Sequence, residues 1–114
     1  MIAVIFEFTP VDGRFSDYSD LAAGLNAEVK GFDGFLSIER FESISSPGKF
    51  VSLSFWRDEE AVRRWRNVQQ HREAQAKGRG GIFSSYRLRV ASILRDYEMD
   101  RRGEAPADSR KVHG

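Results

Sequence analysis

The chain contains no cysteine. Disulfides, thiolate metal sites and cysteine nucleophiles are therefore excluded, and the absence is compatible with a reducing compartment. Histidine is almost as scarce: His71 and His113 are the only two. That is too few for a histidine-built metal centre, and no metal site is expected. There is no G-x-S-x-G elbow, and Gly78, Gly80 and Gly81 lack the Lys-Ser/Thr ending of a phosphate loop. Neither sign of charge dominates, with 18 basic residues against 17 acidic ones and a formal charge of +1. A nucleic-acid partner, which demands a concentrated basic face, is not expected. No apolar run approaches the roughly 20 residues that span a bilayer. The opening Met1-Ile2-Ala3-Val4-Ile5-Phe6-Glu7 has neither a basic lead nor a small-residue cleavage site. The expectation is a cytoplasmic protein with no membrane partner. No internal repeat is evident.

What is present suits one small domain. The chain has 114 residues, 40% of them hydrophobic and 31% charged, an ordinary globular balance with room for a single core. Ile2, Val4, Phe6 and Phe8 alternate with Ala3, Ile5 and Glu7, which predicts a strand stopped by Pro10 and the Asp12-Gly13 turn. Tyr18, Leu21, Ala22, Leu25 and Val29 have the spacing of one helical face over Asp17 to about Lys30, with Ser16 as N-cap and Gly31 as stop. Strands are predicted over Gly34 to Ile44 and Phe50 to Trp56, joined by the short polar link from Ser45 to Lys49. A second helix runs from Asp58 to about Lys77, with acidic residues in its first turn and Ala61, Val62, Trp65, Val68 and Gln69 on its less polar face. Ser84 to Glu98 reads as a last strand, with Tyr86, Leu88 and Val90 on one face and Arg87, Arg89 and Arg95 on the other, the arginines awaiting partners such as Glu7 or Glu39.

The fold class is therefore α+β: a ferredoxin-like β-α-β-β-α-β order with a four-stranded antiparallel sheet. Both helices should cover one sheet face. Apolar residues on the other face would meet water unless a second copy packs against them, so a homodimer is expected, with Leu53 and Leu88 as positions where a charge would disrupt fold and assembly. The domain is read as residues 1–99. Residues 100–114, polar and without periodicity, are read as a mobile C-terminal tail.

Candidate chemistry gathers on the second helix. Val68, His71 and Gln75 are three and four residues apart and share one edge of it. Trp65 lies about a third of a turn from His71 at roughly 100° per residue. An imidazole titrates near neutral pH and suits proton transfer. Each residue also has a plain structural reading: Trp65 and Trp56 as core anchors, His71 as a hydrogen-bonded group at the core edge.

Gly34-Phe35-Leu36, the run Ser54-Phe55-Trp56-Arg57-Asp58-Glu59-Glu60-Ala61 leading to Trp65, His71 before Ala74-Gln75, Gly78-Arg79, and the closing Tyr86-Arg87-Leu88-Arg89-Val90 resemble the antibiotic biosynthesis monooxygenase (ABM) family over roughly residues 2 to 97. The resemblance implies a dimeric α+β barrel. It also implies a cofactor-free monooxygenase that oxidises a small aromatic or quinol-like molecule with oxygen in a pocket between sheet and helices. Under it, His71 is the catalytic proton-handling group, and Trp65, Val68, Gln75, Phe83 and Tyr86 contact substrate. The family's haem-degrading branch uses a first-strand asparagine and a histidine later on the tryptophan-bearing helix. This chain has Phe6-Glu7-Phe8 on the first strand and Gln75 ten residues beyond Trp65, so no haem cofactor is expected. A non-catalytic dimeric protein that binds a small ligand, or serves a structural role, is the alternative.

Overall fold

A strand whose large residues recur every second position must present two unlike faces, and the first segment does so at the centre of the sheet. The computed structural model describes the backbone of residues 1–75 and 81–113 and the side chains of residues 1–69 and 81–112. Strand β1 (Ile2–Pro10) is followed by α1 (Phe15–Val29), β2 (Phe35–Glu42), β3 (Phe50–Trp56), α2 (Glu59–Gln75), β4 (Phe83–Ser92) and α3 (Ala107–His113). The sheet order is β2-β3-β1-β4, and every neighbouring pair is antiparallel. The ferredoxin-like α+β arrangement is thus present.

Register assigns the faces. Val4 lies opposite Ser54 on β3 and Val90 on β4, and Phe6 lies opposite Ser52 and Leu88. These residues share the face beneath α1 and α2. Buried Leu25, Val29, Trp56, Ala61, Val62 and Trp65 form the core there, with Ile2, Val4 and Ile38 packed against it. The opposite face carries Ile5 beside Leu53 and Arg89, and Glu7 beside Val51 and Arg87. Leu53 and Leu88 are therefore on opposite faces, so only the first belongs to the helix-free side. The Arg89 guanidinium lies 3.3 Å from Glu7, which Lys49 also approaches at 3.5 Å.

Several boundaries differ from the sequence expectation for physical reasons. Ser16 is inside α1 rather than capping it; Arg14 precedes the helix and pairs with Asp17 in its first turn. Helix α2 has a side-chain cap, with the Ala61 amide donating to Asp58 Oδ1 at 2.9 Å. Strand β4 ends at Ser92 rather than Glu98 because its partner β1 has run out: Ile93 N donates to Met1 O at 3.0 Å as the final rung. Residues 100–114, read as a tail without periodicity, carry local structure. Glu98 and Arg101 form an antiparallel bridge, Arg102 donates to Ser109 Oγ at 2.8 Å, Ala105 is buried, and α3 follows. Short-range hydrogen bonds and one guanidinium stacked on Tyr97 supply this order, and hydrophobic periodicity does not report them.

The start of α2 is pinned to the start of β2. Arg57 N donates to Gly34 O at 2.8 Å, while the Arg57 guanidinium forks onto Asp33 at 3.0 and 3.2 Å and reaches Asp58 at 3.1 Å. Hydrogen bonds from Arg57 hold the Asp33 carboxyl below its usual range, and the Ala61 amide followed by Arg57 does the same for Asp58. All three groups are solvated, so their pairing directs the chain more than it stabilises it. Gly34 has φ +90°, and a Cβ there would overlap the Ala61 Cβ. Gly34→Ala should lower the unfolding free energy by about 2–4 kcal/mol, combining left-handed backbone strain with overpacking. Urea denaturation measures this, and a loss below about 1 kcal/mol would show that α2 can back away from β2 at little cost.

Candidate functional site

The site begins with two small residues. The positions of β3 that face the helices are Phe50, Ser52, Ser54 and Trp56, so two hydroxymethyl groups stand between two large aromatics. Helices α1 and α2, propped above the sheet by Trp56 and Trp65, do not close over that gap. A cavity of about 360 Å³ results, floored by Val4, Phe6, Ser52 and Ser54 and roofed by Tyr18, Leu25, Val62 and Trp65 among others. Its volume falls within the range of small-molecule sites.

Aromatic groups form both ends. At one end Trp56 and Trp65 lie 6.1 Å apart, with Phe32 edge-on to Trp65 at 5.2 Å and Phe35 edge-on to Trp56 at 5.4 Å. The buried Trp56 Nε1 donates to Ser54 Oγ at 2.9 Å, satisfying the indole N–H. At the other end Phe83 packs against Phe6 at 5.5 Å and Tyr18 at 5.9 Å, and Tyr86 lies 5.7 Å from Phe6. Tyr86 and Leu88 remain 69% and 51% exposed on edge strand β4, so this side forms a rim.

Polar groups enter from two elements. Arg40 is on β2 at the same inward parity as Ile38, and its Nη1 donates to Asn26 Oδ1 of α1 at 2.7 Å. Tyr18, one α1 residue among the aromatics, also hydrogen-bonds Arg40. Burial raises the Tyr18 pKa, while the charge and hydrogen bond of Arg40 pull the other way. The net direction is upward, so the phenol is protonated at neutral pH and can donate but not accept a proton. Arg66 and Gln69 of α2 complete the polar lining.

Of the residues singled out from sequence, Trp65, Phe83 and Tyr86 line this cavity. Val68, taken as a substrate contact, packs against the core instead, because three residues beyond Trp65 it continues the stripe that faces inward. His71 and Gln75 are on the backbone of α2, and their side chains lie outside the described residues. Sequence reasoning missed Tyr18 and Ser54 as site residues, although it read Tyr18 on a helical face and Ser54 at the start of the family run, and it missed Asn26, Arg40 and Ser52 altogether. The signal was there in part. Asn26 interrupts the apolar stripe of α1, Arg40 falls on the inward parity of β2, and the serines are the only small residues on the inward face of β3.

A ferredoxin-like sheet with an aromatic-walled cavity beneath its helices defines an α+β domain with internal space on the scale of a small molecule. The antibiotic biosynthesis monooxygenase family model matches residues 1–77. Jasmonate monooxygenase ABM of Pyricularia oryzae is 45% identical over 93 residues, covering 82% of this chain and 43% of that protein. The chain thus spans less than half the length of that relative. On these grounds the chain belongs to the antibiotic biosynthesis monooxygenase family. Among solved structures, SnoaB, a cofactor-independent oxygenase from Streptomyces nogalater, superposes with a TM-score of 0.66 at 15% identity, covering 83% of this chain and 94% of its own. The haem degrader MhuD of Mycobacterium tuberculosis superposes with a TM-score of 0.65 at 17% identity, covering 86% and 100%. These two likenesses concern the fold alone, which accommodates both chemistries.

Ser54→Ala should cost about 1–3 kcal/mol, since it leaves the buried Trp56 N–H without a partner. A thermal melt following tryptophan fluorescence reads this directly. An unchanged melt would mean that a water replaces the hydroxyl in the cavity.

Proposed function

We propose that this chain is a cofactor-independent monooxygenase that oxidises a small aromatic or quinol-like substrate in the cavity between sheet and helices. The observation that carries this reading is the 360 Å³ aromatic-walled cavity in a chain of the ABM family. Without a cofactor, all four electrons that reduce O₂ must come from the substrate. A phenol meets that condition: its ring carbon loses one hydrogen and its hydroxyl another, one oxygen atom becomes the new quinone carbonyl, and the second leaves as water. The step requires the phenol to ionise first, because the electron-rich anion is what reduces oxygen, and it is favoured where water is excluded. Trp56, Trp65 and Phe83 supply the dry walls.

Proton handling divides between groups. Tyr18, kept neutral, is suited to donating a hydrogen bond. Among the described residues the lining contains no carboxylate, so the proposed acceptor of the phenolic proton is His71 on α2. The same lack of a carboxylate favours a second reading, in which the cavity binds a small ligand without transforming it. Haem degradation is not proposed, since the first strand has Phe6-Glu7-Phe8 where the haem-degrading branch has an asparagine.

Two copies are proposed to pair through the helix-free sheet face, where Ile5, Val51, Leu53 and Phe55 are only partly covered and Phe41 is 43% exposed. Residues 1–99 are proposed as the pairing domain, and residues 100–114 as an appendage to it. Among the described residues, no helix is long and apolar enough to cross a membrane.

Oxygen-electrode assays with anthrone and naphthoquinol substrates should show uptake above the uncatalysed rate, and His71→Ala should reduce it about 10²–10⁴-fold. Uptake that never exceeds background would favour the binding reading, and uptake undiminished in His71→Ala would remove that residue from the mechanism.

Light scattering should give about twice the 13.0 kDa chain mass. Leu53→Arg should abolish pairing, by leaving a charge unpaired in the interface, while Leu88→Arg, on the opposite face, should leave the mass unchanged. A wild-type monomer at micromolar concentration would overturn the dimer.

A further inference from the structure

The cationic side chain in the cavity is unusual in its company. Arg40 is half-buried beneath α1, and among the described residues no carboxylate forms an ion pair with it. Its Nη1 is held by Asn26 at 2.7 Å and Tyr18 lies in hydrogen-bond contact, but both partners are neutral. Its Nε is shielded from solvent and has no hydrogen-bond partner. The remaining charged member of the lining, Arg66, is also a cation. Other arginines of the chain are satisfied differently: Arg57 sits between Asp33 and Asp58, Arg63 pairs with Glu60, and Arg89 pairs with Glu7.

A guanidinium withdrawn from water without a counter-charge is costly, and a donor left unpaired adds to that cost. Here the neighbours hold the group in place without neutralising it. Asn26 fixes one end of the fork through its side-chain carbonyl and Tyr18 offers a hydroxyl beside it, while aromatic and aliphatic side chains make up most of the remaining wall. Guanidinium recognises oxyanions through charge-assisted hydrogen bonds, which strengthen in a water-poor cavity.

We propose that the cavity ligand is a small, largely apolar molecule bearing one anionic oxygen group, bound by Arg40 with Tyr18 and Asn26 alongside. This deepens the monooxygenase reading by naming the recognition element of its substrate. If that anionic oxygen is the ionised phenol, Arg40 stabilises the form that reduces oxygen; if it is a carboxylate, Arg40 anchors the molecule while a different part of it reacts.

Binding to the full chain, read by quenching of Trp56 and Trp65 fluorescence, separates these cases. The probes are 1-naphthoate, the neutral isostere 1-naphthamide, and 4-nitrophenol, whose ionised form is coloured. Wild type should bind naphthoate about ten- to a hundredfold more tightly than naphthamide, and Arg40→Met should erase that preference without weakening naphthamide. Arg40→Lys should restore part of it. Bound nitrophenol should ionise at a lower pH than the free dye, because a nearby cation favours the anion; an uncharged apolar cavity would shift it upward. This dye measurement needs no variant. A naphthoate preference with no downward dye shift assigns a carboxylate ligand, and a dye shift without that preference assigns a phenolate. Equal binding of naphthoate and naphthamide together with an unshifted or upward-shifted dye would overturn the proposal, as would a preference that survives in Arg40→Met, or failure of every probe to bind. Oxygen uptake and anion binding are read separately. Turnover of quinols without anion preference would sink this inference alone, and anion preference without turnover would sink the monooxygenase reading alone.

Discussion

Trp56 closes β3 and Trp65 sits two turns into α2, and the contact between their rings determines where α2 rests on the sheet. Both are nearly fully buried, and Phe32 and Phe35 brace them edge-on. Burial of two indoles contributes several kcal/mol by area, at about 25 cal/mol per Å². Their bulk has a second consequence. A helix held off the sheet by two tryptophans cannot also descend onto Ser52 and Ser54, so the contact that stabilises the core also keeps the cavity open beside it. Trp65 is both a member of the buried core and a lining residue of the cavity.

The sheet divides its labour by parity. Inward positions of β1 support the core near Ile2 and Val4 and the aromatic end of the cavity near Phe6 and Phe8. Outward positions alternate apolar residues with a charge network around Glu7. A shift of one residue in register would exchange these roles, placing Glu7 beneath the helices and Phe6 outside. The paired positions on β3 and β4 prevent that shift, because Phe8 faces Phe50 and Tyr86 and the rings pack across strands.

Arginine has two distinct uses in the molecule. At the surface, Arg57 ties Asp33 to Asp58 where Gly34 lets β2 approach α2, and solvent limits the energy of the pairing while its geometry still directs the chain. Inside, Arg40 is held by neutral groups, in a cavity without carboxylates among the described residues. The difference lies in the surroundings, and residue type alone would not reveal it.

Periodicity alone was enough to determine the element order and the antiparallel sheet, because alternation and helical spacing are local properties of the backbone; Trp65, Phe83 and Tyr86 became candidates through the family resemblance. The family resemblance was carried by short residue runs, among them Gly34-Phe35-Leu36 and Ser54 to Ala61 leading to Trp65, which are also local in the sequence. Element ends were less legible: Ser16 looked like a cap although α1 begins one residue earlier without a side-chain cap, and the last strand looked six residues longer because the end of β1 as its partner depends on contacts across the chain. The order within residues 98–113 escaped because it rests on short-range hydrogen bonds and a guanidinium–ring contact that hydrophobic periodicity does not report. The site itself was decided only by tertiary structure. Arg40, Asn26 and Tyr18 are far from Trp65 in sequence and meet through the crossing of α1 over β2, and the cavity is a volume left unfilled, which no single residue encodes. Which residues pack is set by pattern along the chain; where space remains, and which charge faces it, is set by how the packed pieces fail to meet.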